Sequence, residues 1–308
     1  MTRIGIDYTA AVRQGAGIGR YTRNLIRALA EIDQTTEYVL FSAGRDGGQA
    51  PWPITFSWRS VPMSDAALAM VWQKLRLPVA VEWITGRVDI FHSPDFVLPP
   101  VRRARTVLTV HDLSFMRFPE CSSAPLLEYL MRTVPRSVAR ADVILADSES
   151  TRQDLIELLR APEERLRVVY AGVEPRFQPQ RDPAHIQMAL SRYGIRSPYV
   201  LGVGTLQPRK NFVRLIRAYG LLKQSKGLPH SLVIAGGRGW LYEEILRTID
   251  ELGLSQDVQL VGFVADEDLP ALYSAASVFA YPSLYEGFGI PVLEAMGCGT
   301  PVVTSNVS

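Results

Sequence analysis

The sequence has little cysteine, little net charge and no long apolar run. Its two cysteines, Cys121 and Cys298, are too few for a disulfide framework or a thiolate metal cluster, which favours a reducing, cytoplasmic compartment. The 33 Lys and Arg residues nearly balance 31 Asp and Glu residues, so charge gives no reason to expect nucleic-acid binding. No apolar run approaches the roughly 18 residues of a membrane-spanning helix. Neither does the N-terminus resemble a secretion signal.

Several well-known catalytic signatures are also missing. The sequence has no G-x-S-x-G elbow, no H-E-x-x-H zinc motif and no phosphate loop of the G-x-x-x-x-G-K-[ST] type. Asp266-Glu-Asp268 fits the D-x-D pattern of metal-dependent transferases, but it begins a predicted helix, where acidic residues are favoured as caps. We therefore predict a capping role for these aspartates and no metal site.

Short apolar runs alternate with segments of helical period along both halves of the chain. Arg3–Asp7 is a strand of this kind in the first half, and Tyr199–Val203 is one in the second. This alternation predicts an α/β fold in which helices cover both faces of parallel sheets. A proline-rich stretch over 173–197 indicates a linker between two Rossmann-like domains, 1–172 and 198–308, with a cleft between them.

A loop and a helix start near the C-terminal end have the most distinctive chemistry. Glu286 follows a predicted strand that ends at Tyr281, and Glu294 lies one turn into the next predicted helix. The residues expected to approach a bound phosphate at this helix start are Gly287, Phe288, Gly289 and Ile290. Two carboxylates beside an anion-binding helix start suit a sugar nucleotide. The alternative is that both carboxylates are ordinary solvated charges.

A second strand, loop and helix start contains Gly204, Arg209 and Lys210. Lys210 is one of four lysines in a chain with 29 arginines. Cations at the start of a helix oppose its dipole, which makes a purely structural role unfavourable. Arg209 and Lys210 are therefore candidates to neutralise a diphosphate, with an ordinary surface pair as the alternative.

Two features of the first half also lie where strands end. A loop with Gly15, Gly17 and Gly19 precedes a predicted helix and is either a phosphate loop or a flexible turn. His111 directly follows the predicted strand Thr106–Val110, at the sheet edge where α/β proteins bind ligands. It is either functional or a structural histidine.

The run Glu286-Gly-Phe-Gly-Ile-Pro-Val-Leu-Glu294 resembles the signature of retaining GT-B glycosyltransferases of family 4. The resemblance extends over nearly the whole chain, through Val-His111-Asp, Gly204-Thr-Leu-Gln-Pro-Arg-Lys210-Asn and the N-terminal glycine loop. It implies a GT-B fold, in which two Rossmann-like domains face each other across a cleft. Because the family continues into a closing helix, the C-terminal domain is expected to be truncated here.

The resemblance also implies a role for each motif residue. Glu286 would hold hydroxyls of the transferred sugar, and Glu294 would hold the ribose. Arg209 and Lys210 would bind the diphosphate of the leaving nucleotide, and His111 would contact the donor sugar near the reacting carbon. The residues implied to approach the phosphates and the acceptor are Gly17 and Gly19. No metal or other cofactor is implied.

The motifs are similar to those of mannosyltransferases that use GDP-mannose in bacterial surface-polysaccharide assembly. This implies GDP-mannose as the donor and a glycan or lipid-linked glycan as the acceptor. Other readings stay open, namely a UDP-sugar transferase, an epimerase of the same fold or a non-catalytic fragment that binds a nucleotide sugar. Six arginines are interpreted either as a peripheral contact with anionic membrane lipid or as a solvated face: Arg102, Arg103, Arg105, Arg132, Arg136 and Arg140.

Overall fold

The computed structural model describes residues 1–15, 17–44, 53 and 55–308, and the chain divides into two compact units. Unit 1 comprises Met1–Leu113 and Glu128–Ala171, and unit 2 comprises Ser114–Leu127 and Gly172–Ser308. The short segment Ser114–Leu127 thus belongs to unit 2, although unit 1 flanks it in sequence.

Unit 1 is built on a parallel sheet of seven strands within the described residues. These are β1 (Arg3–Asp7), β2 (Glu37–Ala43), β3 (Phe56–Val61), β4 (Ile90–Ser93), β5 (Arg105–Val110), β6 (Val143–Ala146) and β7 (Leu166–Val168). Their spatial order is β3-β2-β1-β4-β5-β6-β7. The order reverses between β1 and β4, and such a switch point is where open α/β sheets bind ligands, outside the carboxyl ends of the strands.

Unit 2 repeats this plan with five parallel strands. They are β8 (Tyr199–Val203), β9 (Ser231–Ala235), β10 (Val258–Gly262), β11 (Val278–Tyr281) and β12 (Val302–Thr304). Their order is β10-β9-β8-β11-β12, so this sheet has its switch point between β8 and β11. The α/β class and the two Rossmann-like sheets predicted from the sequence are confirmed.

Helices accompany both sheets, twelve of them α-helical in the part of the chain that the structure describes. They are α1 (Thr9–Arg13), α2 (Ile18–Ile32), α3 (Asp65–Ala69), α4 (Glu82–Thr85), α5 (Ser114–Arg117), α6 (Ala124–Arg140), α7 (Glu149–Leu159), α8 (Pro183–Arg192), α9 (Phe212–Lys226), α10 (Glu243–Glu251), α11 (Leu269–Ala275) and α12 (Ile290–Gly297). None of these helices is long and apolar enough to cross a lipid bilayer.

Strand β9, which has a neighbour on each side, shows why helices cover both faces of the sheet. Leu232 and Ile234 lie in one buried apolar cluster, while Val233 and Ala235 lie in another. Because successive side chains of a strand point to opposite faces, helices must cover both faces of this sheet. The apolar run Leu232–Ala235 is continuous because both of its faces are buried. A strand with one face in water would instead alternate apolar and polar residues.

The capping role predicted for Asp268 is wrong. Its side chain makes no capping hydrogen bond at the start of α11. It is instead buried and accepts hydrogen bonds from Arg192 (2.6 Å) and from the Tyr193 hydroxyl (2.7 Å). A buried carboxylate needs such partners to offset its loss of hydration, and α8 supplies the arginine from 76 residues away in sequence.

Candidate active site

The two loops that contain the predicted diphosphate residues follow neighbouring strands of unit 2. We call residues 204–211, after β8, the Lys loop, and residues 282–289, after β11, the Glu loop. Strands β8 and β11 pair in parallel, with Leu201 opposite Phe279, so both loops leave the same edge of the sheet at its switch point. Backbone contacts tie the loops together, since the Leu284 N–H donates to the Arg209 carbonyl oxygen at 2.8 Å.

Three charged side chains meet where the loops touch. The Lys210 ammonium donates to Glu286 Oε1 at 2.7 Å, and the Arg209 guanidinium donates to Glu286 Oε2 at 2.8 Å. Lys210 also donates to the hydroxyl of Tyr281 at 2.7 Å, and Arg209 to the carbonyl oxygen of Tyr285 at 2.8 Å. With two cations and one anion, this ion cluster has a formal charge of +1. It can therefore accept a further anion.

The ion cluster is largely buried and holds Glu286 in its ionised form. Side-chain exposure is 11% for Lys210, 15% for Arg209 and 17% for Glu286. Burial alone would raise the pKa of Glu286, but the charges of Lys210 and Arg209 outweigh it and lower that pKa to about 2. The carboxylate is therefore a permanent hydrogen-bond acceptor near neutral pH.

Glycines give the Lys loop the space that it needs. A Cβ on Gly204 would lie 3.3 Å from Cε of Lys210, so the missing side chain makes room for the lysine. A Cβ on Gly236 would lie 1.9 Å from the Gly204 carbonyl oxygen, a distance that no side chain can tolerate. The path of the loop thus depends on a glycine that follows β9, a neighbouring strand.

Helix α12 begins where the Glu loop ends, as predicted. Gly289 has a left-handed conformation with φ of 90°, which favours glycine, and Ile290 is the first helical residue. Gly287 is buried, whereas Phe288, Gly289 and Ile290 are partly accessible. Within this first turn Pro291 has no N–H, and the Val292 N–H donates to the Gly289 carbonyl oxygen at 2.9 Å. An anion at this turn would therefore meet the amide of Ile290.

Glu294 lies on the first turns of α12 but faces the interior. It is 1% exposed, and its Oε2 accepts a hydrogen bond from the hydroxyl of Tyr273 at 2.9 Å. The sequence alone could not show this contact, because Tyr273 belongs to α11. The ribose-binding role of Glu294 stays a prediction, and any hydroxyl bound there would share the carboxylate with Tyr273.

His111 lies in unit 1, at the carboxyl end of β5. Its Nδ1 is 2.6 Å from Oδ2 of Asp147, and its Nε2 is 2.9 Å from the carbonyl oxygen of Pro94. Because both ring nitrogens have partners, a hydrogen bond from this ring to a sugar would require one of them to be released. Contact with the donor sugar stays a prediction.

The two glycines predicted to approach phosphate differ in their surroundings. Gly17 has a left-handed φ of 57°, and a Cβ there would meet no atom within 4 Å. Gly19 lies in the first turn of α2, where a Cβ would lie 2.2 Å from the carbonyl oxygen of Gln14 and 2.7 Å from that of Ala10. Gly19 is thus required for packing α2 against α1, a short helix that the sequence did not predict. Gly17 has open space around it, and the approach of both glycines to the phosphates and the acceptor stays a prediction.

We expect Gly19→Ala to destabilise the protein by about 3 kcal/mol, because the new methyl group overlaps two backbone carbonyls. Gly17→Ala is the control without a steric overlap, and its cost of about 2 kcal/mol comes from the backbone alone, because φ of 57° with ψ of −123° strongly favours glycine. Urea unfolding of both variants measures the difference. Equal destabilisation would contradict the packing role of Gly19.

Three arginines of the basic set have internal partners. Arg140 donates to the carbonyl oxygens of Leu98 and Pro99, while Arg105 pairs with Asp142 at 2.9 Å. Arg132 pairs with Glu128 at 3.3 Å along α6. Exposed ion pairs such as those of Arg105 and Arg132 contribute little to stability, and a membrane contact of the set stays a prediction.

Sequence reasoning missed two residues that shape these sites. Tyr281 was predicted only as the end of a strand, yet its hydroxyl contacts Lys210, and its ring centroid is 4.9 Å from the ammonium nitrogen. Asp147 received no role from the sequence, yet it is the partner of His111. A signal existed for Asp147, since it follows β6 just as His111 follows the adjacent β5.

Two family models match this chain. The model described as Glycosyltransferase Family 4 matches residues 15–177, and the model described as Glycosyl transferases group 1 matches residues 193–308. A curated relative, the O-antigen chain mannosyltransferase B of Escherichia coli, is 34% identical over 304 residues. That alignment covers 95% of this chain and 79% of the relative.

Solved structures resemble the fold at lower identity. Sucrose-phosphate synthase from Thermosynechococcus elongatus aligns with a TM-score of 0.76 and 21% identity, covering 100% of this chain and 82% of that one. Anabaena Alr3699/HepE in complex with UDP and glucose aligns with a TM-score of 0.70 and 20% identity, with the same coverage. These likenesses confirm the predicted GT-B fold.

Proposed function

This chain belongs to glycosyltransferase family 4, and we propose that it transfers mannose from GDP-mannose, with retention of configuration, to a glycan or lipid-linked acceptor of a surface polysaccharide. The ion cluster of Arg209, Lys210 and Glu286 beside the start of α12 is the observation that carries this proposal. The likeness to an O-antigen mannosyltransferase supports the sugar and the class of acceptor.

The proposed diphosphate site combines fixed charge with backbone amides. Lys210 and Arg209 exceed the charge of Glu286 by one, and α12 begins directly after the Glu loop that contains this glutamate. Negative charge grows on the β-phosphate as the bond to the sugar breaks. Cations and amides that are already in place stabilise this charge without reorganising, which is the largest contribution that such a site can make.

In the proposed reaction the bond between the sugar C1 and the β-phosphate oxygen breaks, while the acceptor hydroxyl oxygen forms a bond to C1 on the same face. The acceptor proton passes to the departing phosphate oxygen, and GDP leaves. Glu286 would accept hydrogen bonds from hydroxyls of the sugar, and charge-assisted bonds of this kind orient the ring strongly. Its low pKa keeps it ionised for this task.

A nucleotide panel tests the donor site. At about 100 times its Kd, a ligand stabilises the folded state by about 2.7 kcal/mol, which corresponds to a Tm increase of about 10 °C for units of this size. We expect GDP to produce this increase and UDP and ADP to produce much less. Differential scanning fluorimetry with equal concentrations of GDP, UDP, ADP and GMP measures it, and a small effect of GMP would locate the affinity in the diphosphate.

The other outcomes separate the alternatives. A larger increase with UDP would replace GDP-mannose by a UDP-sugar, and no increase with any diphosphate would contradict the proposed site. Incubation with GDP-mannose and no acceptor then identifies an epimerase, which would release an epimer or free sugar. A chain that binds GDP but transfers no mannose to any lipid-linked glycan would be a binding protein only.

A further inference from the structure

Among the described residues, both hydrogen-bond partners of the His111 ring are acceptors. The oxygen atoms next to its nitrogens are a carboxylate oxygen of Asp147 and a peptide carbonyl oxygen of Pro94. A carbonyl accepts only, and an ionised carboxylate accepts only, whereas a neutral imidazole has one N–H and one bare nitrogen. Both contacts are satisfied at once when the ring has a proton on each nitrogen.

The pair is buried and Asp147 has few other interactions. The side chains of His111 and Asp147 are 12% and 8% exposed, and Asp147 Oδ1 has no hydrogen-bond partner in the described chain. The other groups that face His111 from the surrounding elements are Tyr21 of α2, His92 of β4, Asp95 and Phe96 after β4, and Thr151 of α7. Burial alone would lower the pKa of His111, but the hydrogen bond and charge of Asp147 outweigh it and raise that pKa above its ordinary value.

The imidazole ring links three strand ends of unit 1. Pro94 follows β4, His111 follows β5 and Asp147 follows β6, and these strands are neighbours in the sheet. The residues after Pro94 lie at the switch point between β1 and β4, where ligands of such sheets bind. A change in the protonation or position of the His111 ring would therefore move the residues after Pro94, at the ligand-binding edge of the sheet.

The turn after β4 has a backbone conformation that needs support. Phe96 has a φ of 45°, in the left-handed region that a bulky side chain rarely adopts. Its N–H donates to the Thr109 carbonyl oxygen at 3.1 Å, and its ring packs against the His111 ring with centroids 5.5 Å apart. Such strained residues persist only where the surrounding contacts hold them, and they are concentrated at functional sites.

We propose that Asp147 is a positioning residue for sugar transfer: it keeps His111 doubly protonated, and the imidazolium holds the turn Pro94–Phe96 in the conformation that receives the acceptor. This inference rests on the proposed function, because it assigns the edge of unit 1 to the acceptor. In this inference His111 acts by holding Pro94 and the residues that follow it, and this role needs no direct contact with the donor.

Asp147→Asn tests the proposal, with Asp142→Asn as the matched control. Asp142 precedes β6 as Asp147 follows it, and its carboxylate accepts from the Thr106 N–H and hydroxyl at 2.8 Å each, so the control also loses an aspartate that joins β5 to β6. The chain has four histidines, which makes NMR titration of the ring carbons practical, with His111→Gln to assign the signal. We expect Asp147→Asn to lower the titration midpoint of His111 by about one pH unit or more, and Asp142→Asn to leave it unchanged.

Kinetics supply the second readout. We expect Asp147→Asn to reduce kcat/KM for the acceptor about 10-fold or more, by analogy with partners that orient functional histidines elsewhere. The KM for the donor and the Tm increase with GDP should be unchanged, because the diphosphate site lies in unit 2. A merely structural role would lower the Tm without separating the two substrates.

Several results would overturn the proposal. One is an unchanged His111 titration in Asp147→Asn, and another is a ¹⁵N spectrum that places the shared proton on Asp147 and leaves a neutral ring. A loss of donor affinity alone would do so as well. If Asp147→Asn does not fold, Asp147→Glu keeps the charge, and it should keep the high midpoint while weakening acceptor kinetics. The NMR result needs no turnover, so it stands apart from any failure of the proposed mannosyl transfer.

Discussion

Replacing Lys210 by alanine is expected to lower kcat about 1,000-fold, the upper range for removing one group that stabilises a developing oxyanion. The ammonium lies 2.7 Å from Glu286 Oε1, and the lysine side chain is 11% exposed. A water molecule that fills the space would not supply the lost positive charge. The charge of Lys210 also gives the ion cluster its net charge of +1. Without it, Arg209 and Glu286 neutralise each other, and attraction for the diphosphate falls.

A surface lysine provides the control for this prediction. Lys226, in the last turn of α9, is exposed, and Lys226→Ala removes the same charge from unit 2 without touching the two loops. Steady-state kinetics with a glycan acceptor should show the loss for Lys210→Ala only, together with a reduced Tm increase on adding GDP. Near-full turnover in Lys210→Ala would show that the phosphate assignment is wrong.

The sequence predicts the site of this lysine well because local signals agree there. Strand β8 ends at Val203 and α12 begins at Ile290, as the apolar runs and the glycine and proline at the helix start predict. Strands with continuous apolar runs are typical of a buried parallel sheet, and the loops after them then lie at the same edge of that sheet. What the pattern cannot show is that β8 and β11 are neighbours. This follows from the strand order, which depends on the whole sheet.

Contacts between distant segments explain what sequence reasoning missed. Asp268 looked like a helix cap because acidic residues favour such positions, but Arg192 of another helix binds it. Helix α1 was hidden because five residues are too few to show a period, and its stability comes from packing against α2. The ring of Tyr281 reaches Lys210 across 71 positions. Local sequence preferences thus predict the strands and helices, whereas tertiary packing determines which residues the polar side chains contact.

Replacing Glu286 by glutamine should separate two roles of this residue. The amide keeps the size of the side chain, but it presents an N–H₂ group to one of two cations that both need an acceptor. It also weakens the proposed hydrogen bonds to sugar hydroxyls, which lose their charge assistance. We expect kcat to fall about 100-fold or more, with Tm increases on adding GDP that are retained or enhanced, because the cations are no longer shared with a carboxylate.

The same variant should change the dependence of stability on pH. The pKa of Glu286 falls from an ordinary 4.5 to about 2 on folding, so its ionised form stabilises the protein fully above pH 4.5. This stabilisation, on the order of 3 kcal/mol, is lost as the pH falls toward 2. Glu286→Gln cannot lose it, and its urea midpoint should therefore fall less steeply over this range than that of the native protein.

Glu244→Gln is the matched control, since Glu244 is 60% exposed and lies 3.7 Å from Arg217 in the same unit. An exposed pair of this kind contributes little to stability, so the control should follow the native acid profile and keep full activity. An acid profile of Glu286→Gln that matches the native one would mean that Arg209 and Lys210 do not hold this carboxylate ionised. The excess charge available to a diphosphate would then have to come from elsewhere in the two loops.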